Sequence, residues 1–456
     1  MARDVSDATP IGTRRELVEW IASGEKPREA WRLGTEHEKI PFYAADRRPV
    51  PYEGERGIRA LLEGLQARTG WAPIVEGDHP IGLADDRGGG AISLEPGGQF
   101  ELSGAPLESL HDTAAETARH VADAKAVGEG LGLRFLTLGM SPLWTRAETP
   151  VMPKARYRIM TDYMPKVGTL GLDMMYRTST VQVNLDYASE SDMVKKLRAS
   201  IALQPVATAL FANSPFTDGK PNGFLSMRSQ IWRDTDNRRA GMTPFVFEEG
   251  FGYEAYVEWA LDVPMYFIKR EATYHDVAGS SFRDLLAGRH PARPGEVATR
   301  SDWANHVSTL FPEVRLKRYL EMRGADVGPP ERIVALSAFW VGLLYDEAAL
   351  DGAWDLVKHW TAEDRERLRA DVPRLALKAE VAGRRVHDVA RDALALAHAG
   401  LKRRALTNAT GEDERVHLAP LDEIVGTGLT PAERWLEAYR GPWAGSVLPA
   451  FQDAVF

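Results

Sequence analysis

Two stretches of this chain alternate between apolar and polar side chains, which commits them to a sheet with unlike faces. In Val181-Gln182-Val183-Asn184-Leu185-Asp186 one side is Val, Val, Leu and the other is Gln, Asn, Asp. Over residues 313–323 the odd positions are Glu313, Arg315, Lys317, Tyr319, Glu321 and Arg323. Four of the five even positions, Val314, Leu316, Leu320 and Met322, are apolar. Residues two apart share a strand face, so each stretch buries one side and presents the other. The presented side is too charged to be buried dry, so it faces solvent or a polar cavity. Parallel sheets covered on both faces read instead as continuous apolar runs. The pattern therefore favours an antiparallel α+β sheet over a doubly wound one.

Around these stretches the spacing predicts helices over 13–23, 57–67, from Pro106 to about Gly128, and over 190–212. Gly24 closes the first, and Pro205 should kink or disturb the last. Strands are expected over 31–42 and 133–138, with short strands and turns over 74–104. From about residue 331 the chain reads as helical to 405, then as a short tail with Trp435 and Trp443. Length alone suggests roughly two to four domains. The element pattern divides the chain into a sheet-bearing catalytic region, 1–330, and a mainly helical region, 331–456, packed on the same unit.

Composition excludes several kinds of chemistry. The net charge is −9 with no block of like charge, which argues against general affinity for nucleic acid or anionic membrane. No stretch approaches the roughly 18 apolar residues that span a bilayer. There is no cysteine, so disulfides, thiolate metal ligands, iron–sulfur clusters and cysteine nucleophiles are ruled out. The start, Met1-Ala2-Arg3-Asp4-Val5-Ser6-Asp7, carries acids and no apolar run, unlike a signal peptide. The phosphate-loop, Gly-x-Gly-x-x-Gly, Gly-x-Ser-x-Gly and His-Glu-x-x-His motifs are all missing. Any ATP is thus held by another design.

What remains is a concentration of carboxylates. Glu36 and Glu38 sit two apart in Thr35-Glu36-His37-Glu38-Lys39, on one strand face, with His37 on the other. Glu95 and Glu101 flank a Pro-Gly-Gly break in Ser93-Leu94-Glu95-Pro96-Gly97-Gly98-Gln99-Phe100-Glu101-Leu102-Ser103-Gly104. Carboxylates crowded without a cation repel and raise one another's pKa, and hard oxygen donors suit magnesium. A solvated edge strand is the other reading of Glu36 and Glu38. Arg156, Arg158, Arg177, Arg228 and Arg233 lie in segments rich in aromatic or hydroxyl residues. Arginine grips carboxylate and phosphate by paired hydrogen bonds, although each of these also fits an ordinary surface. Gly88-Gly89-Gly90 reads as a hairpin turn, with amides bared to a phosphate as the alternative. His37, His111 and His120 read as structural. Carboxylates, a divalent cation and anion-binding arginines together suit phosphoryl transfer from ATP to a carboxylate.

The carboxylate motifs, with Tyr176-Arg177-Thr178-Ser179-Thr180-Val181-Gln182-Val183-Asn184, Asp262-Val263-Pro264-Met265-Tyr266-Phe267 and Tyr319-Leu320-Glu321-Met322-Arg323, closely resemble glutamate–cysteine ligase of the plant and proteobacterial type. The resemblance implies a glutamine synthetase-like catalytic fold: a curved antiparallel sheet with flanking helices. It implies ATP- and magnesium-dependent joining of the γ-carboxylate of glutamate to the amine of cysteine through γ-glutamyl phosphate, the first step of glutathione synthesis. Carried over by motif, Glu36, Glu38, Glu95, Glu101, Gln182 and Glu321 are expected as magnesium ligands. Arg228, Tyr266 and Arg156 are expected as substrate-binding residues, and Arg323 and Arg177 as catalytic phosphate or γ-carboxylate contacts. A monomer or weak homodimer in the bacterial cytoplasm, with only small-molecule substrates as partners, completes the expectation. The rivals are a ligase of the same chemistry with another acceptor amine, and a non-catalytic glutamate- or nucleotide-binding relative. The disulfide control of plant members cannot operate in this chain.

Overall fold

A computed structural model describes residues 7–456. The stretch 1–6, on which most of the signal-peptide reading falls, lies outside the described residues. Nine strands form the main sheet: β1 (Leu33–Tyr43), β2 (Ala72–Glu76), β3 (His79–Ala84), β4 (Ala91–Leu94), β5 (Phe100–Ser103), β6 (Leu133–Leu136), β7 (Thr180–Leu185), β8 (Val314–Leu316) and β9 (Leu320–Asp326). Their order is β8-β9-β7-β1-β5-β4-β3-β2, with β6 paired to the far end of β1. Every pairing is antiparallel, as the alternation requires.

The apolar side of this sheet is core. Val181, Val183, Leu185, Leu320 and Met322 are buried there. The Glu190–Leu210 helix packs on β9, and the Pro330–Leu344 helix packs on β1 and β7. The first of these is capped by Ser189, whose side chain accepts from the Asp192 amide, and is buried continuously from Ala199 to Leu210. A helix apolar on all sides belongs in a core. It continues through Pro205 rather than ending there. Packing against the Glu347–Val357 and Ala362–Leu375 helices as well as the sheet outweighs one lost hydrogen bond.

Two boundaries differ from expectation for local reasons. The helix predicted from Pro106 begins at Leu110, capped by Ser109. The Leu107 amide and carbonyl are both bonded to Leu33, which holds this segment extended along β1. The alternating stretch 313–323 is a hairpin of β8 and β9 rather than one strand. Its three-residue link pairs Leu316 with Leu320, residues of equal parity, so the alternation reads straight through the turn. A bulge between Met322 and Ala325 then shifts β9 against β7.

The last residues return to the start of the fold. Ala454 accepts from the Thr137 amide at 2.9 Å, and Val455 bridges to Leu136. Phe451 meets Phe42 edge-on at 4.9 Å, and Phe456 stacks on Phe135 at 5.4 Å.

Buried imidazoles give the fold an acid limit. Burial lowers the pKa of His306 to about 4, against a hydrogen bond to the Ala260 carbonyl and with Arg239 adding to the fall. Burial also drives His37 and His120 well below the ordinary range. A folded-state pKa below the unfolded one means that the unfolded chain binds more protons. The stability is therefore present above about pH 6.5 and lost as pH falls towards 4. His306 alone should cost about 2 kcal/mol between pH 7.5 and 5. Urea unfolding of His306→Gln at both pH values should show a drop smaller by that amount; an equal drop would show that His306 is not held neutral.

Candidate active site

The polar face of the sheet is set by register. Glu38 lies opposite Glu101, Glu36 opposite Gln182, and Asn184 opposite Glu321. Glu95 reaches the same place from the β4–β5 turn. There the Glu95 amide bonds to the Gln99 carbonyl and the Gly98 amide to the Glu95 carbonyl, both at 2.9 Å. Gly98 has φ +85°, and a Cβ on Gly97 would lie 2.1 Å from the Tyr176 carbonyl oxygen. Only the Pro-Gly-Gly sequence lets the turn approach so closely. Gln99 locks it, its Nε2 donating to the Met175 and Thr178 carbonyls at 3.2 and 2.8 Å.

Glu36, Glu38, Glu95, Glu101 and Gln182 all line one cavity of about 140 Å³. Glu38 accepts from the Thr180 amide at 3.1 Å, and Glu36 from Asn184 Nδ2 at 2.8 Å. Glu101 accepts from the Ser103 and Ser93 hydroxyls at 2.6 and 3.2 Å. Burial pushes the Glu38 carboxyl well above its ordinary pKa, and the charges of Glu95 and Glu101 add to this. Among the described residues no three acidic or imidazole groups close into a ready-made ion cage. Buried oxygens that destabilise one another nonetheless fit a hard dication. Magnesium commonly takes one or two carboxylates together with substrate phosphates, without an all-protein cage.

The same cavity also has basic and aromatic residues in its lining. Arg156, Arg228, Arg315 and Arg323 line the cavity with Tyr157, Trp232, Phe267 and Phe311. Arg228 is only 2% exposed; its Nη2 donates to the Arg323 carbonyl at 2.9 Å, and its Nε has no partner. Arg323 donates to Gln182 Oε1 at 2.6 Å. Arg156 donates to the Tyr157 hydroxyl at 3.2 Å, and that hydroxyl lies 3.1 Å from Glu95 Oε1.

Three candidates are not where the motifs put them. Glu321 does not line the cavity; it is wholly buried between Arg315 at 2.6 Å, Lys317 at 3.1 Å and Arg323 at 2.5 Å. Burial raises its pKa, but Arg315, Lys317 and Arg323 outweigh that and hold it well below the carboxylate range. Here its carboxylate is the shared counter-ion of Arg315, Lys317 and Arg323. Arg177 turns away to Asp173, Asp218 and the Trp144 carbonyl, beside a separate shallow pocket. Tyr266 is buried, packed on Arg239 at 3.8 Å and edge-on to Tyr163 at 5.5 Å, outside the cavity lining. Of the other arginines, Arg158 is exposed. Arg315 and Trp232 gain a place at the cavity. Arg315 had one sequence signal, its position on the charged side of the alternating stretch; Trp232 had none.

A second cavity, about 470 Å³, adjoins the first through Glu36. Asn184, Tyr319 and three basic residues, Lys26, Arg32 and Arg318, line it. Asp186 and the glycines Gly34, Gly89 and Gly104 are in its lining as well. Gly89 belongs to a turn in which its amide bonds to the Asp85 carbonyl at 3.1 Å, so the triple glycine is the hairpin.

An antiparallel sheet that faces buried carboxylates towards arginines is the equipment of a ligase that activates an acid. The chain's fold is similar to that of a glutamate–cysteine ligase from Francisella tularensis solved in complex with AMP. The TM-score is 0.54, over 90% of this chain and 85% of that one, at 13% identity. A family model for glutamate–cysteine ligase family 2 matches residues 32–453. The chloroplastic glutamate–cysteine ligases of Nicotiana tabacum and Arabidopsis thaliana are 56% and 55% identical to it. Each match covers 98% of this chain and 84% of the relative. The chain belongs to the glutamate–cysteine ligase family and is an enzyme of the ligase class. The expected cytoplasmic location is overturned by these relatives, which are named as chloroplastic.

Proposed function

We propose that the smaller cavity holds glutamate and the transferring phosphoryl group, and that the larger one takes the rest of the ATP. The chain joins glutamate to cysteine, the first step of glutathione synthesis, with ATP as cosubstrate. One observation carries the assignment of the cavity: buried Arg228, its Nε without a partner, lines the same cavity as carboxylates that repel one another, and its charge is felt by Glu38. Arg228 takes the α-carboxylate of glutamate. Arg156, Arg315 and Arg323 stand around the γ-carboxylate and the phosphoryl oxygens. Glu36, Glu38, Glu95 and Glu101, with Gln182 beside them, hold magnesium. Bound there, the ion neutralises phosphate charge. The larger volume, and Lys26, Arg32 and Arg318 outnumbering Glu36 and Asp186 in its lining, fit a nucleotide.

The chain has no cysteine nucleophile, and its contribution is to align and to balance charge. The γ-carboxylate oxygen attacks the terminal phosphorus of ATP and ADP leaves. The amine then attacks the acyl carbon and inorganic phosphate leaves. The buried arginines are already directed by Glu321 and by backbone carbonyls, so little reorganisation accompanies the developing charge. Glutamate labelled with oxygen-18 in its γ-carboxylate should pass one labelled oxygen to phosphate during turnover. Unlabelled phosphate would exclude the acyl phosphate. Comparing phosphate release with cysteine, 2-aminobutyrate and ammonia identifies the acceptor; preference for either alternative would replace cysteine in this reading.

A further inference from the structure

We propose that Asp326 is a positioning residue which, through the hydroxyls of Ser214 and Ser226, fixes the direction in which Arg228 meets its substrate. This rests on the reading of Arg228 as the residue that binds the α-carboxylate of glutamate.

Arg228 lies in a single-turn helix, Met227–Ile231, too short to hold its own direction. Two serines secure its first turn. Ser214 Oγ accepts from the Arg228 amide at 3.1 Å, and Ser226 Oγ accepts from the Ser229 amide at 3.1 Å. A hydroxyl can accept in that direction only if its own proton points elsewhere. Both protons go to one carboxylate: Ser214 donates to Asp326 Oδ2 at 2.7 Å and Ser226 to Asp326 Oδ1 at 2.9 Å. The Asn213 amide donates to Oδ2 at 2.8 Å. An ionised carboxylate accepts at every site and donates at none, so it alone forces both hydroxyls to turn their lone pairs to the helix.

Asp326 is 1% exposed and ends β9, three residues beyond Arg323. The carbonyl of Arg323 accepts from the Arg228 guanidinium. One strand end therefore holds Arg228 twice, at its backbone and at its side chain. Gly139 leaves room for the carboxylate; a Cβ there would come within 2.6 Å of Asp326 Cγ. Burial pushes the Asp326 pKa up, and the Arg228 charge and the hydrogen bonds from Ser214, the Asn213 amide and Ser226 oppose it.

The test compares Michaelis constants for glutamate and ATP in the full chain, Asp326→Asn, Arg228→Lys and the double variant. Asparagine keeps the shape but must aim a donor at one hydroxyl. Arg228→Lys should raise the glutamate constant about 10- to 100-fold through loss of the planar fork. Asp326→Asn should raise it at least about fivefold while the ATP constant moves less than about twofold. The double variant should differ little from Arg228→Lys alone, because both changes act on one contact. Equal rises for glutamate and ATP, or full additivity, would overturn the proposal. If Asp326→Asn does not fold, Ser214→Ala is read the same way, since it keeps the carboxylate and two of its donors. A raised glutamate constant in Arg228→Lys, unchanged in Asp326→Asn or its substitute, sinks the relay alone. An unchanged constant in Arg228→Lys sinks the assignment of Arg228, and the relay with it.

Discussion

Glu38→Gln is expected to lower kcat by about 10²- to 10³-fold, the range seen when one preorganised electrostatic group is removed, and to leave the protein folded. Glutamine matches the side chain in size, and its amide oxygen can still accept from the Thr180 amide that Glu38 holds at 3.1 Å. What disappears is a negative charge between Glu95 and Glu101. Without ligands that charge is unfavourable, since burial and the two neighbours already press Glu38 towards its neutral form. The variant should therefore unfold at the same temperature as the parent or above it when both are ligand-free. During turnover the missing charge weakens the hold on the cation and its phosphates. Stopped assays with saturating ATP, and a magnesium titration of each protein, measure both sides. Full activity with an unchanged magnesium requirement would remove Glu38 from the site. Lost activity with a much lower unfolding temperature would make its role structural.

Glu321→Gln should behave in the opposite way. Its carboxylate is the common partner of Arg315, Lys317 and Arg323, and it is wholly buried. Removing one partner of a buried ionic cluster costs about 3–5 kcal/mol, because the remaining charges stay out of water without compensation. Ligand-free Glu321→Gln should accordingly be much less stable than the parent in urea. It should also lose activity, because Arg315 and Arg323 are no longer aimed at the cavity. A metal ligand predicts a different pattern, with ligand-free stability unchanged and magnesium affinity reduced. The two glutamates, both expected as ligands from their motifs, are thus separated by one measurement on apoprotein. Unchanged stability in Glu321→Gln would return it to the ligand set.

Glu38 and Glu321 also show what sequence can carry. Strand parity put Glu36 and Glu38 on one face, and β1 keeps them there because parity depends only on the backbone. The same alternation revealed an antiparallel sheet with a polar face before any pairing was known. It could not reveal the turn at 317–319, since a link of odd length preserves the phase. Nor does a motif say which neighbour a charged side chain chooses. Glu321 finds three cations on its own hairpin, Arg177 finds Asp173 one helical turn away and Asp218 across a loop, and Tyr266 finds Arg239. Those choices depend on how each backbone segment turns its side chains, locally for Glu321 and Asp173, and across the fold for Asp218 and Arg239. Trp232 illustrates the converse, a cavity residue placed by a fold that joins segments as far apart as Glu36 and Arg323.

The strand order also governs how the protein is made. β7 emerges from the ribosome well before β9, its partner on one side, because Leu320 follows Leu185 by 135 positions. At about 5–20 residues per second the wait is roughly 7 to 27 s. Throughout it the Val181, Val183 and Leu185 edge has no strand to bond. Such an edge is a template for pairing with another chain. A sheet that gathers its site from strands far apart in the sequence thus leaves every nascent copy open to its neighbours until translation has passed Asp326, the end of β9.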